Sequence, residues 1–324
     1  MNYKVGGDSG KSSTKLSLRT VEGENIRIQL ATTCEKTDTK AKSDLNHEVF
    51  FNGNRYLVGE PNNKLNLRLR TERSKEDEVH KICLLTALCL AIREAEGAAD
   101  ESKVAIHNVS MTLNMPFSEY IDKDKRESMV RFYQSQKITE IMVDGIKYNL
   151  MLKVLPYYEG LGATLLKSSE VKSKRVTSLD FGSMNVGYAT FDNLKVLTGD
   201  ENTGSLELGC HSLLTKIKKL LNDNGVKNIN ADSEIIRVLN GENTFVKREL
   251  IEKANELIKN HVETIYSELF QLDVDVDNTE IIASGGAVNL YQPFLKDYFT
   301  NNNITILKEN TVFANAEGSL KLLK

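Results

Sequence analysis

Two segments of this chain, Asp8-Ser9-Gly10-Lys11-Ser12-Ser13-Thr14-Lys15 and Ser178-Leu179-Asp180-Phe181-Gly182-Ser183-Met184-Asn185, each end an apolar strand in an aspartate followed by a small-residue turn. Glycine- and serine-rich turns present backbone N–H groups without side-chain obstruction, which suits phosphate oxygens. A carboxylate at the strand end suits magnesium held through water. One such hairpin is common. Two of them, one from each half of a chain, can close on a single phosphate chain, and that requirement limits the architectures available.

The chain has 324 residues, enough for about two domains of ordinary size. With 42 basic and 45 acidic side chains the net charge is −3, which points to neither nucleic acid nor an anionic membrane. Cys34, Cys83, Cys89 and Cys210 form no CxxC pair, and Cys83 and Cys89, which lie in an apolar helical pattern, read as buried free thiols, as in a reducing cytosol. The apolar run from Cys83 to Ile92 falls far short of the roughly 20 residues that span a bilayer, and no signal peptide is visible. The expected location is cytoplasmic. The five histidines show no metal-ligand spacing.

The spacing of apolar residues predicts a mixed α/β order. Residues 3–8 read as a strand, and Leu16, Leu18, Ile26, Ile28 and Leu30 alternate with polar residues as half-buried strands do. Asn52-Gly53 and Asp144-Gly145 each predict a hairpin, the second joining Ile138–Val143 to Tyr148–Val154. A helical pattern runs from Lys75 to Glu96 and stops at Gly97. Val104–Leu113 reads as a buried strand, Lys125–Gln136 as a short helix and Gly160–Leu166 as a helix start. The second half predicts strands at Val176–Asp180, Val186–Phe191 and Leu194–Leu197, with a turn at Asp192-Asn193. Helices follow at Leu208–Leu221, Ser233–Leu239 and Phe245–Phe270, then a strand at Glu280–Ala283, a helix at Val288–Phe299, a strand at Ile304–Leu307 and a closing helix at Ala314–Leu323. The halves repeat loosely in arrangement but not in letters.

Each motif also has an ordinary reading. Asp8–Lys15 can be a plain polar hairpin. Gly10-Lys11-Ser12 has the ending of a Walker A loop, but that motif needs glycine where Val5 stands, and a helix where Leu16 and Leu18 alternate as a strand. Ile281-Ile282-Ala283-Ser284-Gly285-Gly286-Ala287 is a strand ending in a bare turn that opens a helix. It can lie against a base and ribose with the helix N-terminus favouring an anion, or serve only as a tight connection.

Taken in order, Asp8-x-Gly10-(x)4-Lys15, Asp180-x-Gly182-Ser183, Ser284-Gly285-Gly286-Ala287 and Ala314-Asn315-Ala316-Glu317-Gly318 resemble the phosphate 1, phosphate 2, adenosine and second connecting motifs of the actin/hexokinase/heat-shock-chaperone ATPase superfamily. Within it the chain most resembles the ParM-like bacterial actins that segregate plasmids, also through Phe51–Tyr56, Thr112–Tyr120 and Lys153-Val154-Leu155-Pro156. The resemblance implies an α/β, actin-like two-domain ATPase fold, each domain built on an RNase H-like mixed sheet with flanking helices. Its domain I would be residues 1–165 with the C-terminal helix 312–324 packing back on it, and domain II residues 166–311.

The resemblance implies ATP or GTP with Mg²⁺ in the cleft between domains. Asp8 and Asp180 would hold metal-bound water, and Ser9, Gly10, Lys11, Ser12, Lys15, Gly182, Ser183, Met184 and Asn185 the phosphates. Gly285, Gly286, Ala287 and Lys247 would approach the nucleoside, and Glu159 would orient the attacking water. Two features depart from the family pattern. Gly182-Ser183-Met184-Asn185 lacks the usual second acid, and Tyr157 stands directly after Pro156, where the family has its water-positioning acid. The implied activity is nucleotide hydrolysis coupled to head-to-tail filaments that move plasmid DNA through a ParR-like adaptor, with no membrane and only indirect DNA contact. A small-molecule kinase of the same superfamily and a nucleotide-binding scaffold with little turnover are the alternatives.

Overall fold

Period-two alternation of Val5, Leu16, Leu18, Ile26 and Leu30 with polar residues builds three antiparallel strands, β1 (Asn2–Ser9), β2 (Ser13–Arg19) and β3 (Asn25–Ala31). The computed structural model describes residues 1–20, 22–38, 46–59, 75–97, 105–169, 171, 173–226, 229, 232–242, 246–299, 304–307 and 311–323. Contacts divide the chain into two compact units, Met1–Ser168 with Val312–Lys324, and Ser169–Thr311.

In the first unit β4 (Cys34–Lys36), β5 (Asn46–Phe51), β6 (Asn54–Gly59), β7 (Ile106–Met115), β8 (Thr139–Val143) and β9 (Ile146–Tyr158) complete the sheet. Among the described residues its order is β3-β2-β1-β7-β9-β8-β5-β6-β4. Among the described residues of this sheet, only β1–β7 and β7–β9 are parallel pairs. Asn52 and Gly53, and Asp144 and Gly145, all have positive φ, which gives the two expected hairpins their twist. Helix α1 (Glu78–Glu96) carries apolar residues around most of its surface and is correspondingly buried, with Ile82, Leu84, Leu85, Leu88 and Ile92 fully enclosed against β2 and β3. Asp77 caps it by accepting from the His80 N–H at 2.9 Å. A short α2 (Phe117–Tyr120), then α3 (Lys123–Tyr133) and α4 (Leu161–Lys167), follow the strands.

Two strands run further than their sequence predicts. β7 continues past Leu113 through Asn114 to Met115, and β9 continues past Val154 through Pro156 to Tyr158. Proline is tolerated there because β8 pairs β9 only as far as Leu150, so Pro156 needs no N–H on that side. Val104, the expected start of β7, lies outside the described residues. α3 ends at Tyr133, short of the expected Gln136.

The second unit holds β10 (Arg175–Phe181), β11 (Val186–Asp192), β12 (Lys195–Val196), β13 (Thr203–Leu206), β14 (Glu280–Ser284) and β15 (Ile304–Ile306). The order is β12-β11-β10-β14-β15, with β13 also on β11. Both sheets thus share one motif, in which an antiparallel run leads into three successive parallel strands, β1-β7-β9 in the first and β10-β14-β15 in the second. β13 escaped prediction because Gly204 and Ser205 interrupt any apolar alternation. The β11–β12 turn falls at Asn193 and Leu194, both with positive φ, one residue later than expected.

Helices α5 (Cys210–Asp223), α6 (Asp232–Leu239), α7 (Arg248–Gln271) and α8 (Val288–Tyr298) accompany this sheet. α7 buries Leu250, Ala254, Ile258, Val262, Ile265 and Leu269, a stripe at helical spacing. It starts at Arg248, and Phe245, its expected start, lies outside the described residues. The closing segment is not one helix but α9 (Ala314–Ser319) between two 3₁₀ turns. It packs backbone to backbone within the first unit: a Cβ on Gly318 would lie 1.6 Å from the Gly162 carbonyl oxygen, and one on Gly6 1.8 Å from that of Ala316. No described helix is long and apolar enough to cross a membrane.

Candidate functional site

Parallel strands present their carboxyl ends on one side of a sheet, and open α/β folds bind ligands there. In the first unit those ends belong to β1, β7 and β9, and they carry Asp8, Asn114 and Glu159. Asp8 pairs with Lys15 across the β1–β2 hairpin, with Lys15 Nζ 3.3 Å from Asp8 Oδ2. The turn closes with Gly10 N–H donating to the Ser13 carbonyl at 3.2 Å. A side chain on Gly10 would strike that carbonyl, its Cβ lying 2.7 Å away. Thr32 donates to the Gly10 carbonyl at 2.6 Å and shares a hydrogen bond with Thr14, fixing the loop from β3's end. Among the described residues Lys11 and Ser12 donate their backbone N–H groups to no other main-chain group.

Asn114 is almost fully enclosed and uses both ends of its amide. Its Oδ1 accepts from Ser9 N–H at 2.9 Å, and its Nδ2 donates to Asp8 Oδ1 at 2.6 Å. The same Nδ2 lies 3.4 Å from Glu159 Oε1, which also accepts from Lys75 Nζ at 2.6 Å. The ammonium of Lys75 is buried, its side chain 5% exposed, whereas Glu159 is 30% exposed. Nearby Glu119 has its carboxyl raised above the usual range, by partial burial first and by Glu76 and Glu159 after it, against Lys125 and Lys75. Tyr157 cannot take a water-orienting role. It is buried, and its hydroxyl donates to the Gly7 carbonyl at 3.3 Å.

The second unit repeats the turn. Asp180 lies two residues before Gly182, as Asp8 does before Gly10. Gly182 N–H donates to the Asn185 carbonyl at 2.9 Å, and a Cβ on Gly182 would meet that oxygen at 2.9 Å. The carbonyls of Gly182, Ser183 and Met184 accept from the N–H groups of Cys210, His211 and Gly209. The start of α5 thus anchors the outer face of the loop, and the N–H groups of Ser183 and Met184 donate to no main-chain group among the described residues. Asn185 Nδ2 donates to Ser205 Oγ at 2.6 Å, so this side chain is engaged within its own sheet.

Parallel pairing places Ser284 opposite Asp180 and brings the next motif to it. Gly285 has φ +100°, and a Cβ there would sit 2.4 Å from Asp180 Oδ1 and 2.6 Å from the Phe181 carbonyl. Glycine is required twice over, by conformation and by space. Ala287 N–H then donates to the Phe181 carbonyl at 3.0 Å, and α8 begins. Gly286 is exposed. Lys247 is exposed at the N-cap of α7, with no ion pair or side-chain hydrogen bond to Asp180 or residues 285–287 among the described residues.

The structure therefore joins Asp8, Ser9, Gly10 and Lys15 to Glu159 through Asn114, and Asp180 to Gly285. Sequence reasoning missed Asn114 and Lys75, whose roles depend on strand register and burial. The Asn-x-Pro after a strand was the one visible signal for Asn114. No three His, Cys, Asp or Glu side chains that could cage a cation occur among the described residues. A lone carboxylate beside a loop fits magnesium, which keeps most of its waters and takes one or two carboxylates along with phosphate oxygens.

These features define an actin-like α/β fold. Over 99% of its own length and 99% of theirs, the chain matches the AlfA filament from a B. subtilis plasmid at 15% identity and TM-score 0.66. It matches the Alp12 filament at 23% identity and TM-score 0.69, covering 99% and 98%, and Bacillus thuringiensis ParM with ATP at 13% identity and TM-score 0.71, covering 99% and 97%. Residues 6–162 match the family model for the N-terminal domain of actin-like proteins. No curated protein sequence matches the chain.

Proposed function

We propose that this chain is a nucleoside-triphosphate-hydrolysing, filament-forming actin of the kind that segregates plasmid DNA through an adaptor. The observation that carries the reading is the duplicated loop. Two turns of the same hydrogen-bonded form, at residues 10–13 and 182–185, each follow a carboxylate by two residues and keep backbone N–H groups available. A triphosphate wants both. The filament structures of AlfA and Alp12 and the ATP complex of ParM support the same reading from the fold.

In this reading Lys15 and the two loops neutralise and orient the phosphates. Asp8 and Asp180 are the carboxylates that would hold water of a nucleotide-bound magnesium, and the ion would supply charge neutralisation at the transferring phosphoryl group. Glu159 orients the attacking water, and Gly285 with Gly286 and Ala287 leaves room for the nucleoside. Phosphoryl transfer is mostly positioning and charge stabilisation, so these few groups suffice. Release of phosphate then biases the polymer toward disassembly. Sedimentation with ATP or GTP, paired with phosphate release, tests the reading. Nucleotide-dependent pelleting followed by phosphate release and loss of polymer is expected, and Asp180→Ala should lower turnover by roughly 100-fold. A chain that neither pellets nor releases phosphate with either nucleotide would refute it.

A further inference from the structure

We infer that Asn114 is a positioning residue that couples the Asp8 carboxylate to Glu159, so that the group holding metal-bound water and the group orienting the attacking water are set as one unit; this rests on the hydrolytic reading of the site. The orientation of the Asn114 amide follows from its partners. Ser9 N–H can only donate, so the group 2.9 Å away is Oδ1, and Nδ2 must face the two carboxylates. Nδ2 is then the donor shared by Asp8 at 2.6 Å and Glu159 at 3.4 Å.

Beyond these acids stand two cations, Lys15 on Asp8 and Lys75 on Glu159. The result is a row, Lys15–Asp8–Asn114–Glu159–Lys75, in which two acids flank a neutral amide and a cation stands outside each acid. Two carboxylates this close repel unless a donor lies between them. A hydroxyl or methyl group at residue 114 could not donate to both acids while accepting from Ser9. Asn114 comes from β7, Asp8 from β1 and Glu159 from just beyond β9, so the amide also locks three parallel strand ends in register.

Asn114→Asp keeps the shape and removes both donors. At neutral pH the introduced carboxylate faces Asp8 and Glu159. The expected result is a fall in kcat of roughly ten-fold or more, with nucleotide KM changed by less than about three-fold. A variant that merely lost binding or folding would raise KM or lower the active fraction without this split. An unchanged kcat, or a KM that rises in step with the fall in kcat, overturns the assignment.

A second measurement does not depend on turnover. Asp8→Asn and Glu159→Gln, singly and together, are compared by denaturant unfolding in the wild-type and Asn114→Ser backgrounds. A coupling of roughly two-fold or more in the unfolding constant is expected in the first, and a coupling of different size or opposite sign in the second, where the repulsion between the acids is no longer offset. Equal coupling in both, or none in either, overturns the inference even if the chain proves unable to hydrolyse nucleotide.

Discussion

At the residue scale, two side-chain positions carry sharp consequences. Gly285 combines a positive φ with a carboxylate 2.4 Å from where a Cβ would stand. Gly285→Ala should therefore destabilise the chain by about 1–3 kcal/mol in denaturant unfolding. Gly286→Ala, at an exposed position without positive φ, should be close to neutral, and equal costs at both would contradict the account. Asp77 gives a pH signature. Burial pushes its carboxyl up, but the hydrogen bond shared with His80 and the backbone N–H groups it accepts outweigh this and hold it below the usual carboxylate range. A lowered folded value means stability present above the unfolded value, near pH 4, and lost as pH falls below it. Asp77→Ala should cost about 1 kcal/mol at neutral pH, and the gap from wild type should close on acidification below about pH 4. Burial likewise raises the free thiols, Cys34 to about 12 and Cys210 to about 11, so neither is a reactive thiolate at neutral pH.

Elements were read well where local chemistry dictated them. Asn-Gly and Asp-Gly set their turns because few other residues accept positive φ. The β11–β12 turn slipped by one residue because Leu194 occupies a left-handed position that leucine disfavours. Leu194 is 46% exposed, so Leu194→Gly removes little packing and should raise the melting temperature, a gain of about 1 kcal/mol less the entropy of glycine. The extension of β7 to Met115 and β9 to Tyr158 was not legible, because pairing partners and not propensity lengthen a strand. α9 depends on close backbone approach. Gly318→Ala should cost about 1–3 kcal/mol and speed hydrogen exchange across residues 314–319, since the added carbon meets the Gly162 carbonyl. Unchanged exchange there would argue against the packing.

At the scale of the whole molecule, assembly is the property that the proposed function turns on. Removing magnesium with a chelator should stop phosphate release and keep any polymer formed with nucleotide from disassembling; turnover that persists without the metal would count against the roles of Asp8 and Asp180. The sequence alone determined the α/β class, the duplicated aspartate-and-glycine turns and the glycine stop at residues 285–286, because turn geometry and side-chain periodicity are local properties of neighbouring residues. Only tertiary structure decided that Asn114 and Lys75 join Asp8 and Glu159, that Tyr157 is closed off in the core, and that Gly285 presses on Asp180. Those relations link strand ends far apart in the chain, and strand register, which sets them, depends on partners that no local pattern names.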